Sequence, residues 1–352
     1  MTTILVGDIG GTNSRLRLLS VEGEETKEVR ACTLPSNDHP NFETLLRSFL
    51  QEHVPVIGIF AIAGVASGNA ARFVNQDWFP KDVQSSDLES ALHMKKIVFL
   101  NDFEAAGYGC LALNPSQYLQ LNESAHPQPH MRKVVMGPGT GLGEALLTYT
   151  GSKYLSWPGE GGHSDFSPHS DEEWEFAKFM MNLVQTSPEY EKFRPCEGVS
   201  FEVCCAVVGA FHIYEFFRNK FPQLAQASFD ELWESCPQDR MKNMMVFGFS
   251  GRDELCKKSV ELWLRVLAYE SGNLIAKNLP FGGVYLMGGL VCKNFQAIYE
   301  WREVFLKALK TKPKHICEVI DKIPIFLVSF DDVGMEGTIL YAKSLISELE
   351  SN

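Results

Sequence analysis

An apolar strand, a glycine-rich turn and a second apolar strand follow one another twice in this chain, and that repeated unit constrains the fold more than any other feature. The first copy is "TILVGDIGGTNSRLRLLSV" and the second is "KVVMGPGTGLGEALLTY". Either turn alone reads as a hairpin whose glycines supply positive φ. Two copies, each after an apolar strand and each with a threonine, favour a second reading. Adjacent glycines leave backbone N–H groups unshielded, and such groups bind anions. The candidate cofactor-binding residues are Gly7, Asp8, Ile9, Gly10, Gly11, Thr12 and Asn13 in the first turn, and Gly139, Thr140 and Gly141 in the second. Two such hairpins facing across a cleft can hold the β- and γ-phosphates between them.

Asp8 sharpens the expectation. A carboxylate beside a phosphate turn repels phosphate unless a cation lies between them. Mg²⁺ suits that place, because it prefers oxygen ligands and keeps several waters. Asp8 is therefore the candidate metal residue, acting through water. The plainer alternative is an aspartate bonding its own turn amides.

Composition excludes other classes. With 352 residues the chain is longer than one core usually serves, so two lobes are expected. The net charge of -12 disfavours nucleic acid and anionic membrane as partners. The start, "MTTILVGD", has no charged segment followed by a long apolar one, and no apolar run reaches membrane-spanning length. A cytoplasmic protein is expected. The nine cysteines form no Cys-x-x-Cys pair and read mostly as buried thiols.

Further apolar runs read as strands: "VIGIFAIAG", "KKIVFLND", "GGVYLMGGLV" and "IPIFLVS". "NFETLLRSFLQEH", "EEWEFAKFMMNLV", "CKKSVELWLRVLAYESGNLIAKN" and the closing "MEGTILYAKSLISELE" have helical periodicity. The polar stretch Asn122 to Arg132, with Pro127 and Pro129, reads as a loop between lobes.

In order and spacing, "GDIGGTN", "NDFEAAGYG", "GPGTGLG", "PGEGGH" and "VYLMGGLV" resemble the bacterial-type glucokinase family. The resemblance runs from about Leu5 to the C-terminal helix. It implies an α/β chain of two lobes around a central cleft, the actin-like, hexokinase-like (ribonuclease H-like) fold. The small lobe would be 1–112, completed by a helix at about 332–352, and the large lobe 113–331. The implied activity is ATP-dependent phosphorylation of the glucose 6-hydroxyl. MgATP and glucose are the implied partners, without zinc, in a homodimer. Gly288 and Gly289 resemble the adenosine motif, where glycines let a nucleoside approach the backbone.

Asp102, at the end of an apolar strand, matches the family's base for the sugar hydroxyl, and Asn101 is its neutral neighbour. Glu160 and His163 match residues that bind sugar hydroxyls. Glu202 matches another sugar carboxylate, and Asn75 in "FVNQDW" a weaker sugar contact. The related repressor–kinase branch has a cysteine-rich zinc motif after the histidine; here Ser164, Asp165, Phe166 and Ser167 follow. Two departures stand out. Ala206, Val207, Val208 and Gly209 replace a Ser-Gly-Pro-Gly turn, and Val333 precedes Gly334 where a proline is usual. Other readings are a kinase of another hexose or amino sugar, a sugar sensor without activity, and an actin-like ATPase. A regulatory sensor would carry a DNA-binding domain before the first strand, and an actin-like ATPase would not need "PGEGGH" together with the "ND" pair.

Overall fold

The structure is a computed structural model that describes residues 2–23, 25–73, 78, 81–194 and 198–351. The chain divides into two compact units. The first is Met1–Asn114, Tyr149–Pro158 and Asp332–Asn352; the second is Pro115–Thr148 and Gly159–Asp331.

In the first unit, β1 (Thr2–Ile9), β2 (Asn13–Glu22), β3 (Glu25–Pro35), β4 (Ile57–Ile62) and β8 (Lys96–Asn101) form one sheet. β5 (Gly64–Ala66), β6 (Ala70–Phe73) and β7 (Asp82–Gln84) form a small antiparallel one. The larger sheet runs β3-β2-β1-β4-β8. Its first three strands are antiparallel, and β1, β4 and β8 are parallel. Period-two alternation on β1 feeds two layers. Leu5 and Ile9 pack with Phe42, Leu45, Leu46 and Phe49 of the helix Phe42–Leu50. Ile4 and Val6 pack with Tyr108 of the helix Asp102–Gly109 and Met335 of the helix Val333–Ser351.

Those last two helices approach so closely that their contact admits only glycine. A Cβ at Gly109 would lie 1.9 Å from the Val333 carbonyl oxygen, and one at Gly337 would lie 1.7 Å from that of Ala105. The departure at Val333 is thereby placed: this buried residue opens the C-terminal helix and seats its backbone on Gly109.

In the second unit, β9 (Tyr118–Gln120), β10 (Lys133–Pro138), β11 (Leu142–Tyr149), β13 (Val284–Leu286) and β14 (Ile325–Val328) run in the order β11-β10-β13-β14-β9. β10, β13 and β14 are parallel. Between β11 and the loop at 160–163 lies β12 (Tyr154–Gly159). The helix Glu254–Asn278 buries residues on nearly every side, among them Leu255, Val260, Trp263, Leu267 and Ile275, and forms the centre of the unit's core. The stretch from Asn122 to Arg132 is not a connection between units. It belongs to the second unit, where the Asn122 side chain bonds the Ile323 carbonyl and the Ile325 amide. The described cysteines are free thiols. No helix among the described residues is long and apolar enough to cross a membrane.

Because the Gly337 contact is backbone against backbone, no side-chain rotation relieves it. Gly337→Ala should cost about 3 kcal/mol, the upper end of overpacking effects. Gly159→Ala, where a Cβ meets nothing within 4 Å, should stay within about 0.5 kcal/mol of the parent. Urea unfolding of both variants checks this.

Candidate active site

Both glycine turns are hairpins, one between β1 and β2 and one between β10 and β11. Neither uses the backbone geometry expected of it: Gly10, Gly139 and Gly141 lie outside the left-handed region. What distinguishes the turns is the fate of their polar groups. In the first, the Gly10 N–H donates to the Asn13 carbonyl (3.0 Å). The Thr12 carbonyl accepts from the Ser36 N–H (2.9 Å) and the Gly10 carbonyl from the Ser36 hydroxyl (2.8 Å). Ser36 is itself buried, bonded to Ser14 Oγ at 2.9 Å. In the second turn, the Gly139 N–H donates to the Gly141 carbonyl (2.8 Å). The Gly139 and Thr140 carbonyls accept from the Val207 and Val208 N–H groups at 2.9 and 3.4 Å. The Gly10, Thr12 and Asn13 carbonyls of the first turn and the Gly139, Thr140 and Gly141 carbonyls of the second are thus captured, while the N–H groups of Gly11 and Thr12, and of Thr140 and Gly141, donate to no described residue. Each turn presents two adjacent amide donors and has most of its carbonyls turned to other partners, the pattern that binds phosphate.

The departure from the family pattern at Ala206–Gly209 therefore falls against the second turn, and its backbone supplies both carbonyl caps. Gly7 and Ile9 are buried within β1, where the absent Cβ of Gly7 makes room for Leu16 and Phe60. Their place is in the strand's packing, and the available donors belong to Gly11 and Thr12. Gly288 has φ 85° and caps the helix Gly289–Glu300; a Cβ there would meet the Pro138 carbonyl oxygen at 3.0 Å. Gly289 has open space around it. The "MGGL" glycines thus lie at the end of β10 beside the second turn, in a helix N-terminus suited to an anionic ligand.

Asp8 does not bond its turn amides. The hairpin register sets it opposite Arg15, whose Nη2 donates to Asp8 Oδ2 at 2.5 Å. Arg15 also reaches Asp332 Oδ1 at 2.9 Å, and Arg17 holds the other oxygen of Asp332. Arg15 thus already offsets the Asp8 charge. With Oδ2 held by Arg15, Oδ1 is the oxygen that suits a Mg²⁺ held chiefly by phosphate oxygens, the protein acting through water. Among the described residues no group of three or more His, Cys, Asp or Glu is placed to hold a metal by itself.

Asn101 and Asp102 close β8 and open the helix Asp102–Gly109. Asn101 is the N-cap: its Oδ1 accepts from the Phe103 and Glu104 amides at 2.9 and 3.3 Å, and its Nδ2 donates to the Gly64 carbonyl at 3.2 Å. The capping box is completed by Glu104 Oε2, which accepts from the Asn101 N–H at 3.3 Å. The capping role therefore belongs to Asn101, not to Asp102. That leaves Asp102 at the first helical position, half-buried, with Oδ1 accepting from the Phe103 N–H at 2.9 Å. Asn75 lies outside the described residues.

In the second unit the structure brings Glu160, His163 and Glu202 together. His163 Nε2 lies 3.7 Å from Glu160 Oε2, and its Nδ1 lies 3.9 Å from Glu202 Oε1. The Glu160 side chain is 81% exposed, whereas that of Glu202 is 14% exposed. Glu202 Oε2 accepts from the Leu142 N–H at 2.8 Å, and a Cβ on Gly141 would lie 2.5 Å from the same oxygen. Glu202 therefore buttresses the second glycine turn with one oxygen and faces His163 with the other. The imidazole and two carboxylates together can order the donors and acceptors of a polyol.

Sequence reasoning missed Ser36, Arg15 and Glu144. Ser36 carried no local signal, since β3 brings it to the turn from 22 residues beyond Ser14. Arg15 was readable in principle, because a hairpin turning at Gly10–Asn13 pairs position 8 with position 15. Glu144 on β11 is buried beneath the "PGEGGH" loop: a Cβ on Gly161 would lie 1.8 Å from Glu144 Oε2. Glu144 Oε1 has no hydrogen-bond partner among the described residues. Burial first, and the nearby Glu270 second, push its carboxyl up to about 8.

Residues 5–345 match the family model described as Glucokinase. The glucokinase of Nostoc sp. (strain PCC 7120) is 30% identical over 98% of this chain and 100% of its own length. Among solved structures, a Balamuthia mandrillaris glucokinase in complex with glucose superposes with a TM-score of 0.73 at 20% identity. It covers 97% of this chain and 94% of that one. A ROK family glucokinase from Streptomyces griseus, in complex with glucose and AMPPNP, gives 0.59 at 16% identity over 96% and 97%. The structural likeness carries the actin-like fold.

Glu144 generates a prediction about pH. Its proton is held up to about pH 8 in the folded chain, against an ordinary value of 4.5 unfolded. The folded state therefore binds the proton more tightly, and the stability this contributes is lost as pH rises from about 5 to about 8. Relative to Glu144→Gln, the parent should lose on the order of 3 kcal/mol across that window. Urea midpoints at pH 5, 6.5 and 8 test it; a difference between the two proteins that does not change with pH would contradict the buried-acid reading.

Proposed function

The chain belongs to the glucokinase family of sugar phosphotransferases, and on that premise we propose how its residues transfer the γ-phosphoryl group of ATP to the 6-hydroxyl of glucose. The observation that carries the reading is the paired glycine turns, each with captured carbonyls and two available amides. Phosphoryl transfer asks for little covalent chemistry from a protein. It asks for an aligned acceptor, a group to take the acceptor's proton and donors for phosphate charge.

Gly11, Thr12, Thr140 and Gly141 donate backbone N–H groups to phosphate oxygens. Gly288 and Gly289 leave the backbone open to the nucleoside. Asp102 accepts the proton of the sugar 6-hydroxyl, and the Asn101 cap sets its position. Asn101 Oδ1 is engaged in the cap, so Asn101 contributes to the sugar through its remaining Nδ2 hydrogen. Glu160, His163 and Glu202 hold the other hydroxyls. Magnesium, when bound, neutralises charge on the β- and γ-phosphates, and Asp8 Oδ1 would hold one of its waters. In this reading the first unit corresponds to the small lobe, 1–112 with 332–352, and the second to the large lobe, 113–331, except that Tyr149–Pro158 belongs to the first unit. The protein acts in the cytoplasm as a homodimer, at the entry to glycolysis.

A coupled assay over a panel of hexoses and phosphoryl donors tests the reading, with glucose and ATP expected to give the highest kcat/KM. Asp102→Asn keeps size and helix position but removes the proton acceptor. Its kcat should fall by roughly two to four orders of magnitude, with glucose binding changed far less. Turnover close to the parent's would leave Asp102 as only the first residue of its helix.

A further inference from the structure

The first unit contains a cavity of about 410 Å³ lined by none of the glycine-turn or sugar-side residues. It opens between the helix Asp102–Gly109, the C-terminal helix and the segment Tyr149–Pro158. Tyr108, Tyr154, Tyr341 and Leu345 give it an apolar wall, in which the Tyr108 and Tyr341 rings meet edge to face with centroids 5.4 Å apart. Its volume is that of small-ligand pockets. Glu104 lines it, and no lysine, arginine or histidine among the described residues forms an ion pair with that carboxyl. Lys153, also on the lining, pairs instead with Glu348.

We propose that this cavity is a second ligand site, taking a small organic ammonium ion whose charge meets Glu104 and whose aromatic or apolar body lies against the tyrosines. A carboxyl without a cation beside aromatic faces is the arrangement that receives such a ligand. An anion would add like charge next to Glu104. Burial pushes the Glu104 carboxyl up to about 7, which is the signature of a carboxylate lacking compensation. The titratable groups that bear on it are Tyr108 from its own helix, Tyr341, Lys343 and Glu348 from the C-terminal helix, and Lys153 from the segment after β11. Both tyrosines are themselves pushed upward, mainly by burial, and stay neutral near pH 7. A bound cation would hold Glu104 ionised. It would thereby strengthen the bond from the Asn101 N–H to Glu104 Oε2, and with it the cap of the helix that begins at Asp102. That effect on turnover rests on the function proposed above; the binding itself does not.

The test uses the full chain without sugar or nucleotide. Benzylammonium is the probe and benzyl alcohol its neutral counterpart, each followed by calorimetry or ligand-observed NMR at pH 6 and pH 8. Benzylammonium should bind in the millimolar range or tighter and gain about tenfold in affinity from pH 6 to pH 8, as Glu104 ionises. Benzyl alcohol should bind more weakly and without pH dependence. Glu104→Gln keeps an acceptor for the Asn101 N–H and should reduce the cation to the alcohol's affinity. Ser344→Phe narrows the cavity without altering Glu104 and should weaken both. Equal binding of cation and alcohol, cation binding that survives Glu104→Gln, or no saturable binding would overturn the proposal. If Glu104→Gln does not fold, the comparison of cation with alcohol and the Ser344→Phe variant still decide it. In the kinase assay, saturating benzylammonium should change kcat/KM for glucose in the parent but not in Ser344→Phe. A parent chain that binds the probe yet phosphorylates no sugar would sink the proposed function and leave the second site standing.

Discussion

The capture of turn carbonyls by donors from elsewhere in the chain is the interaction on which the candidate site depends. A glycine turn presents amides and carbonyls alike, and left to itself it attracts and repels an anion in similar measure. Here Ser36 takes two carbonyls of the first turn, and the Val207 and Val208 amides take two of the second. Each turn also closes on itself through one internal bond, from Gly10 to Asn13 and from Gly139 to Gly141. Two neighbouring amides then remain in each turn without a partner among the described residues. The same solution is reached in two units by different means: a buried serine pair in one, a helix start in the other.

This arrangement explains why so much rigid structure surrounds two short turns. Ser36 is held by β3 through the pairing of Asn13 with Pro35, and its carbonyl also accepts from the Trp78 indole at 3.0 Å. Val207 and Val208 follow the helix Phe201–Cys205, whose buried Trp263 neighbour donates to the Cys205 carbonyl at 2.8 Å. Glu202 lies on that same helix, so one element supports the second turn and turns a carboxylate oxygen toward His163. The Asn101 cap plays a corresponding part for Asp102. Positioning to a fraction of an ångström is what phosphoryl transfer asks of a scaffold, and in the function proposed above these contacts supply it.

The fold was legible because its strands are apolar and its turns are marked by glycine. β1, β4, β8, β10 and β14 were all readable as strands, and the long helix Glu254–Asn278 as a helix, from periodicity alone. What escaped was what depends on distant pairing. β3 is a largely exposed edge strand with the sequence "ETKEVRACTLP", which carries no apolar alternation, so neither it nor Ser36 was visible. The loop Asn122–Arg132 resembled a linker because it is polar, yet Asn122 uses that polarity to bond β14 and its approach. The triad of Glu160, His163 and Glu202 was inferred from a family resemblance and is adjacent in space, though 42 residues separate its ends. The double duty of Glu202 was not readable, since the Leu142 amide it accepts from lies 60 residues away. The reading of positive φ at the turns does not hold; what a side chain would disturb instead is close packing, since a Cβ on Gly141 would meet Glu202 Oε2 at 2.5 Å and one on Gly10 the Asn13 carbonyl oxygen at 3.1 Å.

Gly139 offers the most direct test of that account. Its backbone is not left-handed, and the nearest atom to an added Cβ would be the Gly141 carbonyl oxygen at 3.9 Å. Gly139→Val should therefore fold, yet it would obstruct phosphate beside the Thr140 and Gly141 amides. Calorimetric titration of the folded variant with ATP and magnesium should show affinity weakened by about tenfold or more, the loss of one hydrogen bond to a charged group, with glucose binding retained. Unchanged ATP affinity in the folded variant would show that the second turn is a hairpin and nothing else.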